Sequence, residues 1–136
     1  MRFFLDNCLS PAFARALRVL AERQQYEIVH LAEKFDRRDV PDPEWIGALG
    51  AEGGWVIVSG DTRITRGRVE RAAWQESGLT AFFFGDGWAS ASYWTQAQDI
   101  VRWWPTIVLE ARRAPAGTGF VLPKSGKDVK TIYTPS

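Results

Sequence analysis

The fold is decided by the stretch Arg2-Phe3-Phe4-Leu5-Asp6-Asn7. Its three consecutive apolar residues suit a short strand that is buried on both faces, as in the middle of a parallel sheet. The strand ends at the carboxylate of Asp6, and Ser10-Pro11 then has the pattern of an N-cap followed by the first residue of a helix. Ligand sites of open α/β sheets lie outside the carboxyl ends of the strands, so we expect Asp6 to border such a site.

Strands and helices alternate along the rest of the chain. Further buried strands are predicted at residues 26–31, 55–58 and 79–84. Helices are predicted over residues 10–22, 43–51, 66–77 and 93–104, and Pro105 is expected to kink or restart the last one before it reaches about residue 113. The pattern predicts an α/β fold with three layers, in which a four-stranded parallel sheet has helices on both faces. Right-handed crossovers and the common doubly wound arrangement give the strand order 2-1-3-4.

The remaining segments are assigned to the surface. The charged residues 32–40 are predicted to form a loop, and residues 119–123 and 129–133 a small hairpin around Ser125-Gly126. We therefore expect one domain, with its main part at residues 1–113 and the hairpin and tail of the same domain at residues 114–136.

Composition limits the classes of function. The net charge of the 136 residues is only +1, so contact with nucleic acid must depend on local patches. A single cysteine excludes an internal disulfide and fits a reducing compartment. The N-terminal apolar run is too short for a signal peptide and no stretch reaches membrane-spanning length, so a cytoplasmic location is expected.

Three strands of the predicted sheet end in carboxylates, those of Asp6, Asp61 and Asp86. In the order 2-1-3-4 these strand ends are neighbours, and the three acids are expected to converge on one crevice. A cluster of oxygen ligands favours Mg²⁺ or Mn²⁺, whereas one cysteine and one histidine are too few for a zinc site or for Cys-His catalysis. Each acid also has a plainer explanation, as a turn residue or, for Asp42, as a helix N-cap. Repetition of the pattern at several strand ends favours the metal site.

Other side chains near the acids have two interpretations each. Some cationic residues either bind flanking phosphates of a nucleic acid or form a solvated helix face: Arg63, Arg66, Arg68 and Arg71. Some aromatic residues either stack on unpaired bases or fill the core: Trp88, Tyr93 and Trp94. Cys8 is interpreted as a small buried thiol and His30 as a strand residue.

Three stretches, in this order along the chain, resemble the PIN-like domains: Phe3-Phe4-Leu5-Asp6-Asn7, Pro41-Asp42-Pro43-Glu44-Trp45 and Val56-Ile57-Val58-Ser59-Gly60-Asp61-Thr62-Arg63-Ile64. These domains are compact relatives of PIN-domain nucleases, and many are toxin ribonucleases of bacterial toxin–antitoxin pairs. The resemblance covers about residues 1 to 110. It implies that metal is bound by Asp6, Asp61 and an acid of the 42–44 stretch, and we choose Asp42 over Glu44 because the family places its acid at the start of this helix.

The resemblance implies a Mg²⁺- or Mn²⁺-dependent endoribonuclease that is the toxin of a toxin–antitoxin pair. Asp6, Asp42 and Asp61 are then the catalytic residues, and Asp86 is a fourth metal ligand by position alone. Substrate contacts are assigned to Asn7, Arg63 and Arg66. Expected partners are RNA, a cognate antitoxin protein and a second copy of the chain, with no membrane partner. The alternative is a non-catalytic PIN-like module with an incomplete site that docks a protein or nucleic acid, with the Trp-rich C-terminal region as a possible interface.

Overall fold

The computed structural model describes residues 1–61 and 63–136. Its strands are β1 Arg2–Leu5, β2 Glu27–His30, β3 Trp55–Ser59, β4 Thr80–Phe84, β5 Gly119–Leu122 and β6 Lys130–Tyr133. Its helices are α1 Pro11–Leu20, α2 Leu31–Phe35, α3 Asp42–Glu52, α4 Thr62–Arg66, α5 Arg68–Ser77 and α6 Tyr93–Arg113, with a 3₁₀ turn at Glu22–Gln24. The predicted α/β class is confirmed.

The described strands form one sheet in the order β2-β1-β3-β4-β5-β6. The first four strands are parallel and follow the predicted order 2-1-3-4. The prediction of a four-stranded sheet with a separate hairpin was wrong, because β5 pairs in parallel with β4 and β6 adds an antiparallel edge. Phe82 explains this extension, since its ring stacks on that of Phe120 in the neighbouring strand, 4.8 Å between centroids.

Both faces of the sheet are covered, and β1 shows this directly. Phe3, Phe4 and Leu5 have 0% exposure, as the apolar run predicted. Phe3 and Leu5 belong to a core that also includes residues of α1 and α6, whereas Phe4 belongs to a second core with residues of α3 and α5. The strand therefore lies in the middle layer, with helices on both faces. Its carboxyl end lies at the side of the sheet where the parallel strands end.

Several helix predictions need correction. The predicted loop at 32–40 begins with α2, because His30 provides the N-terminal cap of that helix. The predicted helix at 66–77 is α5, which begins at Arg68, and an unpredicted short helix, α4, precedes it. The two helices meet at Gly67, where a Cβ would lie 2.6 Å from the carbonyl oxygen of Arg63. Helix α6 continues through Pro105 as a single helix of 21 residues instead of restarting there.

The buried face of α6 is formed by residues that have helical spacing: Ile100, Trp103, Trp104 and Ile107. Trp94, for which the sequence left base stacking and the core as alternatives, is 74% exposed and is not a core residue. Val101 of α6 and Leu20 of α1 are also exposed, at 45% and 65%. Of the helices described, none has the length and apolarity that a membrane span requires.

Candidate active site

A cavity of about 390 Å³ lies at the carboxyl ends of β1 and β3. Its walls come from the segment after β1, the segment before α3, and the start of α4. Three carboxylates predicted from the sequence, those of Asp6, Asp42 and Asp61, all line it. The sheet order explains the meeting, because parallel neighbours bring their carboxyl ends to the same edge.

Asp6 is the most deeply placed of these acids, with 2% exposure. Its Oδ1 accepts a hydrogen bond from the backbone N–H of Cys8 at 3.1 Å, and its Oδ2 accepts one from the hydroxyl of Ser59. Burial raises the pKa of the Asp6 carboxyl to about 7, since desolvation outweighs these hydrogen bonds and the nearby acids add repulsion. A cation that enters the cavity would therefore stabilise the ionised form of Asp6.

Ser59 connects the two strand ends. While its hydroxyl donates to Asp6, the same oxygen accepts the backbone N–H of Asp61 at 2.9 Å. Ser59 is itself fully buried at the end of β3. The sequence analysis assigned it no role, although a serine two residues before the strand-end acid was the available signal.

Asp61 caps α4 and binds the guanidinium of Arg63. Its Oδ1 accepts the backbone N–H of Arg63 at 2.8 Å, and its two oxygens accept Nε and Nη2 of the same guanidinium at 2.7–3.1 Å. Desolvation raises the pKa of Asp61, but the hydrogen bonds from Arg63 outweigh it and leave the pKa lowered. Asp61, for which a turn was the plainer alternative, is thus the N-cap of α4 and also lines the cavity.

Asp42 is not the N-cap of α3, and that alternative explanation was wrong. Pro41 occupies the N-cap position, and the Oδ1 of Asp42 instead accepts Nε1–H of Trp45 at 3.0 Å. Its Oδ2 lies 3.8 Å from the Nη2 of Arg63. Desolvation, together with repulsion from Asp61, raises the pKa of Asp42 to about 6.

Asp42 and Asp61 line the same cavity and repel each other, which adds to the effect of desolvation on the pKa of Asp42. The guanidinium of Arg63 bonds the carboxylate of Asp61, and the pKa of Asp61 is lowered. Asp42 therefore holds a proton more readily than Asp61 does. Glu44, the rejected choice for this position, does not line the cavity; its half-exposed side chain pairs with Arg37.

Asp86 does not join the three acids in the cavity. Its side chain is 88% exposed and pairs with Arg66 at 3.3 Å. Both line a separate shallow pocket, which Asp61 also borders from its other side. A ligand role for Asp86 and a substrate role for Arg66 stay predictions.

Asn7 and Arg63, predicted to contact the substrate, do line the cavity. Arg38, which the sequence analysis missed, donates from Nε to Oδ1 of Asn7 at 2.8 Å and lines it too. Asp39 and Glu70 are further lining residues without a predicted role. The signal for Arg38 was topological: the segment after β2 returns to the edge of the sheet where β1 ends.

Cys8 is exposed, contrary to the prediction of a buried thiol. In the described part of the chain, its sulfur and carboxylate oxygens of Asp6 and Asp61 form a group of potential metal ligands within 4.8 Å of one another. Desolvation, then repulsion from Asp6 and Asp61, raises the pKa of the thiol to about 12. Without a bound cation the thiol is therefore protonated at neutral pH.

The aromatic and histidine predictions are resolved by burial. Trp88 is 2% exposed and belongs to the core, so the base-stacking interpretation was wrong for it. Tyr93 and Trp94 are exposed, with ring centroids 5.4 Å apart. His30 is a buried strand residue, as predicted, and does not line the cavity: its Nε2 donates to the carbonyl of Leu9 at 2.7 Å and its Nδ1 accepts the N–H of Ala32 at 3.0 Å.

Part of the donor set fits a hard divalent cation. Carboxylate oxygens are the ligands that Mg²⁺ and Mn²⁺ prefer, and those of Asp6 and Asp61 lie within 4.8 Å of each other, whereas Asp42 lines the same cavity outside that group. The pKa values of Asp6 and Asp42 are both raised first by desolvation, and repulsion between the carboxylates adds to it.

Comparison with known proteins bears on the family. A family model described as a PIN like domain matches residues 1–86, which include Asp6, Asp42 and Asp61. No curated protein and no solved structure matched the chain in the same comparisons. Because the family model covers more than half of the chain, and the fold carries its acids at one edge of a parallel sheet, the chain belongs to the PIN-like domain family.

Proposed function

We propose that this protein is a metal-dependent endoribonuclease that hydrolyses RNA phosphodiester bonds in the cavity at the end of β1. The observation that carries the proposal is the convergence of Asp6, Asp42 and Asp61 on one cavity. PIN-like domains belong to a superfamily of nucleases, and this cavity contains the oxygen ligands that such chemistry requires.

Asp6, Asp42 and Asp61 would hold the cation, Mg²⁺ or Mn²⁺. When bound, it supplies a more acidic water and offsets negative charge on the phosphate. The protein's own contribution is positioning. Ser59 fixes Asp6 relative to Asp61 through its two hydrogen bonds, so the acids are ordered before substrate arrives.

Cationic side chains border the cavity where phosphate oxygens would approach. Arg38 is held by Asn7, and the exposed guanidinium of Arg63 reaches the mouth of the cavity from α4. Arginines of this kind bind the backbone of a nucleic acid without reading its sequence. The exposed Tyr93 and Trp94 are a further place for unpaired bases to stack.

The toxin assignment is part of the proposal, with a cognate antitoxin protein and a cytoplasmic site of action. Its test is expression of the chain in bacteria, alone and together with the adjacent reading frame of its genome. Growth arrest that requires Asp61 and is relieved by the adjacent gene supports a toxin. Normal growth at high expression of a folded, cleaving protein contradicts it.

The nuclease proposal is tested with end-labelled RNA and DNA of the same sequence, incubated with Mn²⁺, Mg²⁺ or EDTA. Wild type is expected to cut RNA internally with Mn²⁺ and to show no cleavage in EDTA. Asp61→Asn is expected to cleave RNA at least ~100-fold more slowly, because loss of one catalytic interaction commonly has an effect of this size. Asp128→Asn, an exposed aspartate far along the chain, is the matched control. Cleavage by Asp61→Asn at the wild-type rate would show that the cavity is not the active site.

A non-catalytic binding module is the second candidate, and one observation favours it. The guanidinium of Arg63 already neutralises Asp61, and Asp86 lies outside the cavity, so three of the four acids predicted as metal ligands line it. A module of this kind would retain RNA on a filter in EDTA and cut nothing with Mn²⁺. Cleavage that requires Mn²⁺ excludes it.

A further inference from the structure

The guanidinium of Arg63 lies beside two carboxylates of the acidic cavity, those of Asp61 and Asp42. It bonds both oxygens of Asp61, with Nη2–Oδ2 at 2.7 Å, and the same Nη2 lies 3.8 Å from Oδ2 of Asp42. Two of the three carboxylates proposed to bind metal therefore have an internal cation beside them. The Arg63 side chain is 71% exposed.

The contact between Arg63 and Asp61 can break without repacking of a core. The Arg63 side chain is exposed and belongs to neither core, so it can move into solvent. A divalent cation that binds the oxygens of Asp61 competes with the guanidinium for the same lone pairs, because each carboxylate oxygen has a limited number of acceptor sites. Binding of one cation must weaken binding of the other.

We propose that Arg63 is an internal counter-ion that competes with the divalent cation for Asp61 and Asp42, and so limits metal binding until the guanidinium is drawn away. The inference rests on the proposed function, since it concerns the same three acids. A phosphate at the mouth of the cavity offers Arg63 an alternative anionic partner. Substrate is therefore expected to favour metal loading, and metal to favour substrate, as linkage requires.

The experiment measures Mn²⁺ affinity directly, without substrate and without activity. Free Mn²⁺ is counted by electron paramagnetic resonance as the metal is titrated into wild type, Arg63→Gln and Arg66→Gln. Arg63→Gln is expected to bind Mn²⁺ about tenfold more tightly than wild type, within the range typical of coupling between two ligands. Arg66→Gln is the matched control, because it removes the same charge from the same helix but from the pair with Asp86.

General electrostatics predicts a different pattern. If only net charge near the cavity matters, Arg66→Gln and Arg63→Gln tighten Mn²⁺ binding equally, and the proposal is overturned. Equal affinity of Arg63→Gln and wild type also overturns it, and leaves the nuclease proposal standing. If wild type and both variants bind no Mn²⁺ at millimolar concentration, the metal site itself is absent and both proposals fail.

A second variant keeps the test valid if Arg63→Gln misfolds. Arg63→Lys keeps a positive charge but loses the two-point contact with Asp61 that only a guanidinium makes. It is expected to bind Mn²⁺ more tightly than wild type and less tightly than Arg63→Gln. If Arg63→Gln does not fold, wild-type affinity in Arg63→Lys is sufficient to overturn the proposal.

Discussion

The indole ring of Trp88 fills the space beside Gly60, where a Cβ would lie 2.7 Å from Cζ3 and 2.9 Å from Cε3 of the ring. Gly60 directly precedes Asp61, and Trp88 in turn stacks on Phe84 of β4 with 4.2 Å between ring centroids. The segment that carries an acid of the cavity is thus held against a core aromatic side chain. Residue 60 must be small for that contact to exist.

Gly60→Ala is expected to lower the free energy of unfolding by about 1–3 kcal/mol, because the new methyl group overlaps a buried ring that has little room to move. Denaturation by urea measures the change. Gly47→Ala is the control, since no atom lies within 4 Å of a Cβ there and the residue is inside α3. It should stabilise by about 0.5–1 kcal/mol through helix propensity. Equal stability of the two variants would show that the contact with Trp88 is not tight.

Asp6→Asn is expected to change how stability depends on pH. The pKa of Asp6 is about 7 in the folded protein, whereas that of an unperturbed aspartate is about 3.9, so between these values the folded state binds more protons than the unfolded state. The free energy of unfolding of wild type therefore falls as the pH rises through this window. Asparagine has no proton to lose, and the variant should gain up to about 4 kcal/mol relative to wild type between about pH 4 and pH 8.

Denaturation curves in EDTA at several pH values test this expectation, because a bound cation would hide the effect. Asp128→Asn, at an exposed position, should run parallel to wild type. If Asp6→Asn also runs parallel, the carboxyl of Asp6 is not desolvated as the structure implies. Addition of Mn²⁺ should stabilise wild type most at the high-pH end, where the carboxylates are ionised.

Asp42→Asn separates structure from chemistry at the start of α3. The amide oxygen can still accept Nε1–H of Trp45, so stability at neutral pH should be kept within about 0.5 kcal/mol or improved, because like charge beside Asp61 is removed. RNA cleavage should be lost, since an amide is a poor ligand for a hard cation. The measurements are thermal unfolding and the nuclease assay on the same preparation.

Glu44→Gln is the companion variant. It breaks the exposed pair with Arg37, which contributes little to stability because solvent screens it, and it leaves the cavity unchanged. Cleavage is expected at the wild-type rate. Loss of cleavage in Glu44→Gln, with Asp42→Asn still active, would move the metal ligand from Asp42 to Glu44.

His30 makes two hydrogen bonds that two variants can distinguish. His30→Ala removes both the bond to the Leu9 carbonyl and the cap on Ala32, whereas His30→Asn keeps an oxygen that can cap α2. His30→Asn should therefore be more stable than His30→Ala by about 1 kcal/mol, and both less stable than wild type. Urea denaturation measures this, and equal stability of the two variants would show that the cap contributes nothing.

Much of the fold was predictable because its signals are local. The apolar runs before Asp6 and Asp61 predicted two strands, β1 and β3. The predicted sheet order made these strands parallel neighbours, which places Asp6 and Asp61 at the same edge. Asp42 needed the resemblance to PIN-like domains, since its position at the start of a helix suggests capping with equal force. The structure resolves this through Trp45, which binds Asp42 in place of the helix N-terminus.

The parts that could not be predicted depend on contacts between distant segments. The hairpin signal around Ser125-Gly126 specifies that β5 pairs with β6, but it contains no information on whether β5 also pairs with β4. Trp88 and Trp94 are the same residue type in the same region, but Trp88 stacks on Phe84 in the core, whereas Trp94 lies on the exposed face of α6. Arg38 lies in a charged segment without periodicity, and its place beside Asn7 follows from the tertiary path of the chain.

The central position of β1 has a consequence for synthesis on the ribosome. Phe4 pairs with Val29 on one side and with Ile57 on the other, so its second neighbour is made 53 residues later. Until then a nascent chain presents Phe3, Phe4 and Leu5 without the layers that bury them. Contacts this far apart in sequence form slowly because a long loop must close first. The apolar run of β1 is thus expected to stay exposed on the nascent chain until synthesis has passed β3.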